Sequence, residues 1–435
     1  MSHSRENRTW ALVIRWPAAL ATAIVLALTL VLMPSAQAQS YKVIYNFTGG
    51  QDGAYPLAGL TMDAAGNLYG TASYGGYSGG SCAKYSGCGT VFKLIHKGSG
   101  WTFNPLYMFQ GDFEGNNDAA NPAARVVFGP DGSLYGTTEA GGGGSCSYYG
   151  YGCGAVFKLS PPPTACKTAL CPWTDTVLYG AAADKGELLA GEVVFDQAGN
   201  LYSTVALGGQ YQGGYIFELT PSYNGWTRKI LYSFNPESNC NDPQAGLVFD
   251  ASGDLLGTAN TGCAFNVGGV FQLTPSGGSW TESIVHSFND NKDGDGSMAS
   301  LTPDGHGGFY GTTFDLGPNS GGTVFQLTPS NGGWMFSLVY AFGIDDNGEA
   351  LVAPVTLDAN GNLYGTNFEC LHCRGTVFKL TPSNGTWTET VLHRFTGSDG
   401  SYPYSNVAMD ANGNLYGTAS SGGAYGYGVI WEITP

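Results

Sequence analysis

Asp63-Ala64-Ala65-Gly66-Asn67-Leu68-Tyr69-Gly70-Thr71 is the stretch that decides how this chain is built. Edited copies follow at residues 132–137, 199–204, 253–258, 307–312, 361–366 and 413–418. Successive glycines of the seven copies lie 66, 67, 54, 54, 54 and 52 residues apart. A fixed period of this length marks a repeat architecture and overrides the two or three domains that length alone suggests.

Working outward from that stretch, each period holds four strand-like runs. The first is Ala58-Gly59-Leu60-Thr61-Met62, mirrored by Ala245-Gly246-Leu247-Val248-Phe249, and the second is the anchor stretch itself. Gly89-Thr90-Val91-Phe92-Lys93-Leu94 is the third, returning as Gly322-Thr323-Val324-Phe325-Gln326-Leu327. The fourth is Trp387-Thr388-Glu389-Thr390-Val391-Leu392-His393-Arg394-Phe395, with counterparts at 226–234 and 280–288. All have ordinary strand length. Thr-Pro-Ser with Gly or Asn at 328–333 and 381–385 is turn chemistry between the third and fourth runs.

Four antiparallel strands per period and seven periods, with no amphipathic helix after residue 40, predict an all-β, seven-bladed β-propeller. The chain begins with a lone fourth-type strand (41–47) and ends on a third-type strand (428–433). The N-terminal strand should therefore join the C-terminal blade and close the ring, an offset for which a linear solenoid has no use. The expected blades are 48–109, 110–180, 181–234, 235–288, 289–342, 343–395, and 396–435 with 41–47. Strand order sorts the connections onto two faces. Short hairpin turns share one. Longer variable loops, at 72–88, 138–153, 205–213, 259–268, 313–321 and 367–374, share the other with the inter-blade segments. Function tends to sit on such loops.

Composition agrees with a single propeller over 39–435. The chain of 435 residues holds 68 glycines, 13 % aromatic and only 11 % charged residues, which suits short strands and tight turns rather than disorder. Residues 1–38 differ: Arg5, Arg8 and Arg15 precede an apolar run from Pro17 to Met33, followed by Ala36-Gln37-Ala38. That is the layout of a secretory signal peptide cleaved near Ala38. An uncleaved membrane anchor is the alternative. Removing three arginines and one glutamate takes the net charge from −16 to −18. A secreted or periplasmic acidic product repels nucleic acid and anionic membranes, and a monomer is expected. The end at Ile433-Thr434-Pro435 shows no sorting tail.

All ten cysteines lie in the mature part, an even number for an oxidising compartment. Cys82 and Cys88, Cys146 and Cys153, Cys166 and Cys171, and Cys370 and Cys373 form short local pairs, leaving Cys240 and Cys263. Disulfides are the expectation. A zinc site would need a second pair beside Cys370-Leu371-His372-Cys373, and none exists.

Residues that repeat in every blade are architectural, which removes the tryptophans, the threonines ending the second strand, and most histidines from the list of functional groups. Tyrosines in the variable loops remain: Tyr74, Tyr77 and Tyr85 in blade one, Tyr148, Tyr149 and Tyr151 in blade two, Tyr211 in blade three, Tyr425 and Tyr427 in blade seven. Tyrosine beside Gly and Ser offers stacking area and a hydroxyl at low entropic cost, which suits a glycan or an extracellular protein as partner. Packing on their own loops is the bland alternative. No cofactor is expected. Asn289, Asn291 and Asp293, followed by Gly294, partly fit a calcium loop, but Ser300 stands where a bidentate Glu is needed, so a solvated turn is the stronger reading.

One position of the first strand varies while its neighbours do not: Gly59, Arg125, Glu192, Gly246, Ser300, Pro354 and Asn406. First strands line a propeller's channel. Arg125, Glu192 and Asn406 are therefore the catalytic candidates if the protein is an extracellular enzyme of lyase, lactonase or glycosidase type. An Arg125–Glu192 ion pair is the simpler reading. A binding scaffold is favoured over an enzyme.

The combined pattern at 357–366, 375–382 and 387–392 resembles the GloVer-type tandem repeat of bacterial extracellular proteins, over essentially all of 41–435. That resemblance implies a surface or secreted location and no particular activity. The Asp-x-x-Gly-Asn-Leu-Tyr core is also similar to NHL and streptogramin-lyase propellers, at the level of the turn only. The catalytic histidines of that lyase have no counterpart here.

Overall fold

The computed structural model describes residues 39–98, 100–111, 117–143, 154–163, 172–181, 187–189, 191–223, 225–237, 239–344 and 350–434. The signal-like segment, Cys146, Cys153, Cys166, Cys171, Tyr148, Tyr149, Tyr151, the side chain of Tyr85 and the acidic loop 345–349 lie outside them.

Seven small antiparallel sheets of four or five strands follow one another along the chain, with one added two-stranded pair and no α-helix among the described residues. In blade one, Thr61–Met62, Leu68–Ala72, Thr90–Lys97 and Gly100–Met108 pair in sequence order. The last blade has Ala408–Met409, Leu415–Ala419 and Val429–Thr434, and Ser40–Asn46 from the other end of the chain lies beside the last of these. The ring is closed as the strand offset predicts. Phe47 N–H donates to the Gly428 carbonyl at 3.0 Å, and Thr418 Oγ1 donates to the Ala58 carbonyl, also at 3.0 Å.

The anchor stretch makes a turn and then a clamp. In the turn, Asp63 Oδ1 accepts from the N–H groups of Ala65 and Asn67, while Oδ2 accepts from the Asn67 amide and the Tyr69 hydroxyl. Asp196, Asp358 and Asp410 repeat the set. Where Gly129 lacks the carboxylate, Asp131 takes over, accepting from Ser133 and from Tyr135. The following glycine is left-handed in all seven copies, from φ 77° to 92°, and a Cβ at Gly66 would meet nothing within 4 Å. Backbone conformation, not space, demands glycine there.

The clamp is the threonine that ends the motif. Thr71, Thr137, Thr204, Thr258, Thr312, Thr366 and Thr418 each donate to a carbonyl of the next blade's first strand. Those carbonyls (Ala124, Gly191, Ala245, Ala299, Ala353, Ser405 and Ala58) thus point out of their own sheets. This explains a departure from the predicted strands. The first strand, expected over 58–62 and 245–249, is regular only at Thr61–Met62 and Val248–Phe249. In blade two it splits into Ala119–Pro122 and Val127–Phe128, and blade three splits likewise.

Aromatic rings fill the seams between blades. The phenylalanine just after one fourth strand meets the third-strand phenylalanine of the next blade: Phe47 with Phe92, Phe109 with Phe157, Phe234 with Phe271, at centroid separations of 4.9–5.4 Å. All six are fully buried. Each such pair contributes about 0.5–1.5 kcal/mol beyond its area. The second glycine of the motif leaves room for this ring, because a Cβ on Gly70 would lie 2.6 Å from Phe92. The tryptophans opening the fourth strands stitch the same seams: Trp101 meets Tyr416, Trp226 meets Tyr135, and Trp387 meets Tyr310.

Candidate functional site

Two places on this frame gather residues that do not repeat. The first is the channel. Because first strands run from the loop face to the turn face, residues two apart along them form successive rings around the axis. The variable position forms the waist ring: Gly59, Arg125, Glu192, Gly246, Ser300, Pro354 and Asn406. Above it, toward the loops, a small vestibule of about 110 Å³ is lined by Leu57, Gln244, Met298, Val352 and Tyr404. Below it the channel widens toward the turns into a cavity of about 700 Å³.

At the waist Arg125 and Glu192 form a two-pronged ion pair. Nε donates to Oε1 at 3.2 Å and Nη2 to Oε2 at 2.9 Å. The Glu192 charge raises the Arg125 pKa against the opposing effect of burial, so the guanidinium stays charged. No other charged residue lines either cavity among the described residues. Asn406 lies one blade beyond Gly59 as counted from Arg125 and packs against Gly59, where a Cβ would lie 1.5 Å from its Oδ1. The simpler of the two readings of Arg125 and Glu192 describes their geometry.

The second place is the loop face between the last blade and the first. Tyr55, on an inter-blade segment, packs edge-to-face on Tyr74 at 5.7 Å and on Tyr427 at 6.0 Å. Backbone bonds hold the three together: Tyr55 N–H donates to the Tyr427 carbonyl, and Ala54 N–H to that of Tyr74. Tyr74 and Tyr427 are exposed, as are Tyr77 and Tyr425 in the same two loops. Tyr77 folds partly over its own loop, its hydroxyl against Gly79. Tyr211 is exposed but lies toward Tyr232 in the outer strand of blade three. Tyr55 was not among the residues singled out from sequence. Its backbone is left-handed, φ 54°, ahead of Pro56, as it is at Tyr402 before Pro403.

The Gloeobacter/Verrucomicrobia repeat pattern matches residues 150–369 and 336–435, well over half of the chain. The chain belongs to this repeat family. Among curated proteins none matches. Solved structures with a similar outline include a Lactobacillus plantarum protein (13 % identity, 78 % of this chain and 84 % of that one, TM-score 0.49). A Xanthomonas campestris gluconolactonase follows at 15 % identity, covering 70 % and 82 %, with a TM-score of 0.38. A Dyadobacter fermentans protein of unknown function is 14 % identical over 92 % and 100 %, at 0.43. Likenesses of this size carry no activity across to the Gloeobacter/Verrucomicrobia repeat chain.

In this repeat protein one of the residues considered for calcium, Asp293, has both carboxylate oxygens engaged. Asp293 Oδ1 accepts from Asn289 N–H at 2.6 Å and Oδ2 bonds His286 Nε2 at 2.8 Å. No cluster of three or more His, Cys, Asp or Glu placed to hold a metal occurs among the described residues. The Asp293 arrangement belongs to a set that the sequence did not reveal. The same fourth-strand position carries Tyr45, Tyr107, Tyr179, Tyr232, His286, Tyr340 and His393. Their carboxylate partners are Asp52, Asp118, Glu187, Glu282, Asp293, Glu389 and Asp399. A bulge just before this residue, as between Phe271 and Val270 of the partner strand, swings the ring toward the seam. Disulfides join Cys82 to Cys88, Cys240 to Cys263 and Cys370 to Cys373. No described helix is long and apolar enough to cross a membrane.

Proposed function

We propose that the protein is a secreted binding scaffold that takes a glycan or an extracellular protein on its tyrosine-bearing loop face. The observation that carries this reading is the Tyr55–Tyr74–Tyr427 cluster, assembled from the first and last blades and presenting exposed rings. Aromatic faces with hydroxyl rims are the surface that sugar rings and protein side chains both use. The strong negative charge favours neutral or cationic partners over anionic ones. The alternative, a lyase, lactonase or glycosidase at the channel, has a weaker footing. General acid–base catalysis needs a proton-transferring group with room to act. Arg125 and Glu192, the only charged residues lining the channel among those described, are paired with each other.

The test is a glycan array and a bacterial-surface pull-down with the mature chain, repeated with Tyr74→Ala and Tyr427→Ala. Binding that drops several-fold, up to about tenfold, in either variant supports the loop face, since stacking on one ring is worth about 0.5–1.5 kcal/mol. Binding unchanged in both variants, or none to any glycan or surface, removes the reading.

A further inference from the structure

The cavity on the turn face lies apart from the tyrosine surface. Its walls are apolar on the side of blades two to four, where Val127, Val194 and Val248 occupy the ring below the waist with Phe128 and Phe195 beyond them. In blades five and six that ring carries Thr302 and Thr356, whose hydroxyls are already committed to the carbonyls of Val355 and Val407 in the next blades. The wall therefore offers hydrocarbon and little else.

The waist end is different. At the waist Arg125 uses Nε and Nη2 on Glu192, and Nη1 has no partner among the described residues. Ser300 Oγ accepts from Gly246 N–H at 3.0 Å, which leaves its own proton to give. The Asn406 amide makes no hydrogen bond with any described residue. A half-buried amide, hydroxyl and guanidinium aimed into a cavity with unused donors are the groups that fix a ligand's orientation in an otherwise apolar pocket. The cavity volume falls in the range of small-molecule sites. The Arg125–Glu192 pair is neutral overall, and Glu192 would repel an anion held by Arg125.

We infer that the turn-face cavity binds an uncharged amphipathic small molecule, its apolar body between blades two to six and its hydroxyl- or carbonyl-bearing head at Arg125, Ser300 and Asn406. The narrow vestibule above the waist makes the turn face the entrance, opposite to the face on which partner binding is proposed.

The probe is octyl β-D-glucoside below its micelle concentration, compared with octanoate and octylamine by isothermal titration and saturation-transfer NMR on the full mature chain. The expected result is saturable one-to-one binding of the glucoside, at least tenfold tighter than of either ion. Asn406→Ala should weaken it about tenfold by removing a hydrogen-bonding group. Val194→Trp, which fills the wall, should abolish it. Asn406→Ala sits on a surface turned to the cavity and remains informative if Val194→Trp does not fold. Tyr74→Ala should leave it unchanged, which separates this site from the loop face. No glucoside binding, equal binding of octanoate, or binding indifferent to Asn406→Ala overturns the inference.

Discussion

At the scale of single residues, a buried hydroxyl holds each blade to the next. Thr258 is fully buried and its Oγ1 gives its proton to the Ala299 carbonyl at 3.0 Å. Thr258→Val keeps the shape and removes the donor, so that the carbonyl is left in the seam without its partner. The expected cost is about 1–3 kcal/mol, read as a lower urea midpoint with an unchanged slope, and Thr258→Ser should recover most of it. The carboxylates of the seams give a second prediction. Most seams place one acid near the fourth-strand Tyr or His, but between blades one and two both Asp118 and Asp175 are present, hydrogen-bonded to each other. Burial, and then the Asp118 charge, raise the Asp175 pKa well above the carboxylate range. An acid whose folded pKa is raised favours folding while protonated, and that advantage is lost as pH climbs from about 4 toward the raised value. Stability measured against pH should therefore decline across that interval by up to about 1.4 kcal/mol per unit from this group, and Asp175→Asn should flatten the decline. A variant with the wild-type slope would show that the pair carries no shared proton. The threonines were legible as architectural from their repetition, but the pairing of carboxylates with the fourth-strand rings was not. The sequence shows that His286 and His393 replace a tyrosine, but the acids facing them lie on loops or in the next blade, and no fixed spacing links them.

At the scale of elements, strands with a repeated apolar pattern were readable and those doing two jobs were not. The third and fourth strands emerge close to their expected bounds, for example Thr376–Ser383 and Thr386–Arg394. First strands shrink because their carbonyls serve the neighbouring threonine, a demand no single strand's sequence expresses. Three of the variable loops carry cross-links. Cys240 and Cys263 close 23 residues and pin the added pair Cys240–Asn241 and Thr261–Gly262, while Cys82–Cys88 and Cys370–Cys373 close 6 and 3. Restricting the unfolded chain stabilises more when the closed loop is longer. Replacing Cys240 and Cys263 with alanine should cost about 3 kcal/mol, and replacing Cys370 and Cys373 about 2 or less. Calorimetry of the two double variants checks the order. The reverse order would mean that the short bridge holds something besides its own loop.

At the scale of the molecule, the seam between the chain's two ends is built like the other six, although no peptide bond crosses its last hairpin. Phe47 bonds Gly428 at one end of the closing pair of strands, so Tyr41 and Thr434 share the other. In every other blade that position is the turn between the third and fourth strands, as at Ser383–Thr386, where Ser383 and Thr386 pair directly. The periodicity made this closure legible, because the offset of the first and last strands has meaning only in a ring. The cavity below the waist was not legible, since Val127, Val194 and Val248 carry the same apolar signature whether they face a neighbour or an open channel. If the ring is one cooperative body, where its chain is cut should matter little. A permutant that joins Thr434 to Tyr41 through Pro-Ser-Asn-Gly and opens between Asn384 and Gly385 keeps every seam, including the Thr418–Ala58 clamp. It should melt in a single transition within a few degrees of the parent, because surface turns of this kind tolerate new termini. Deleting 41–47 instead removes the closing strand and exposes the Phe92 face that Phe47 covers. That truncation should destabilise all seven blades together, by at least the roughly 3–5 kcal/mol of one lost core phenylalanine. Loss of protection in blades seven and one alone, with the rest unchanged in hydrogen exchange, would show instead that the blades fold as independent neighbours.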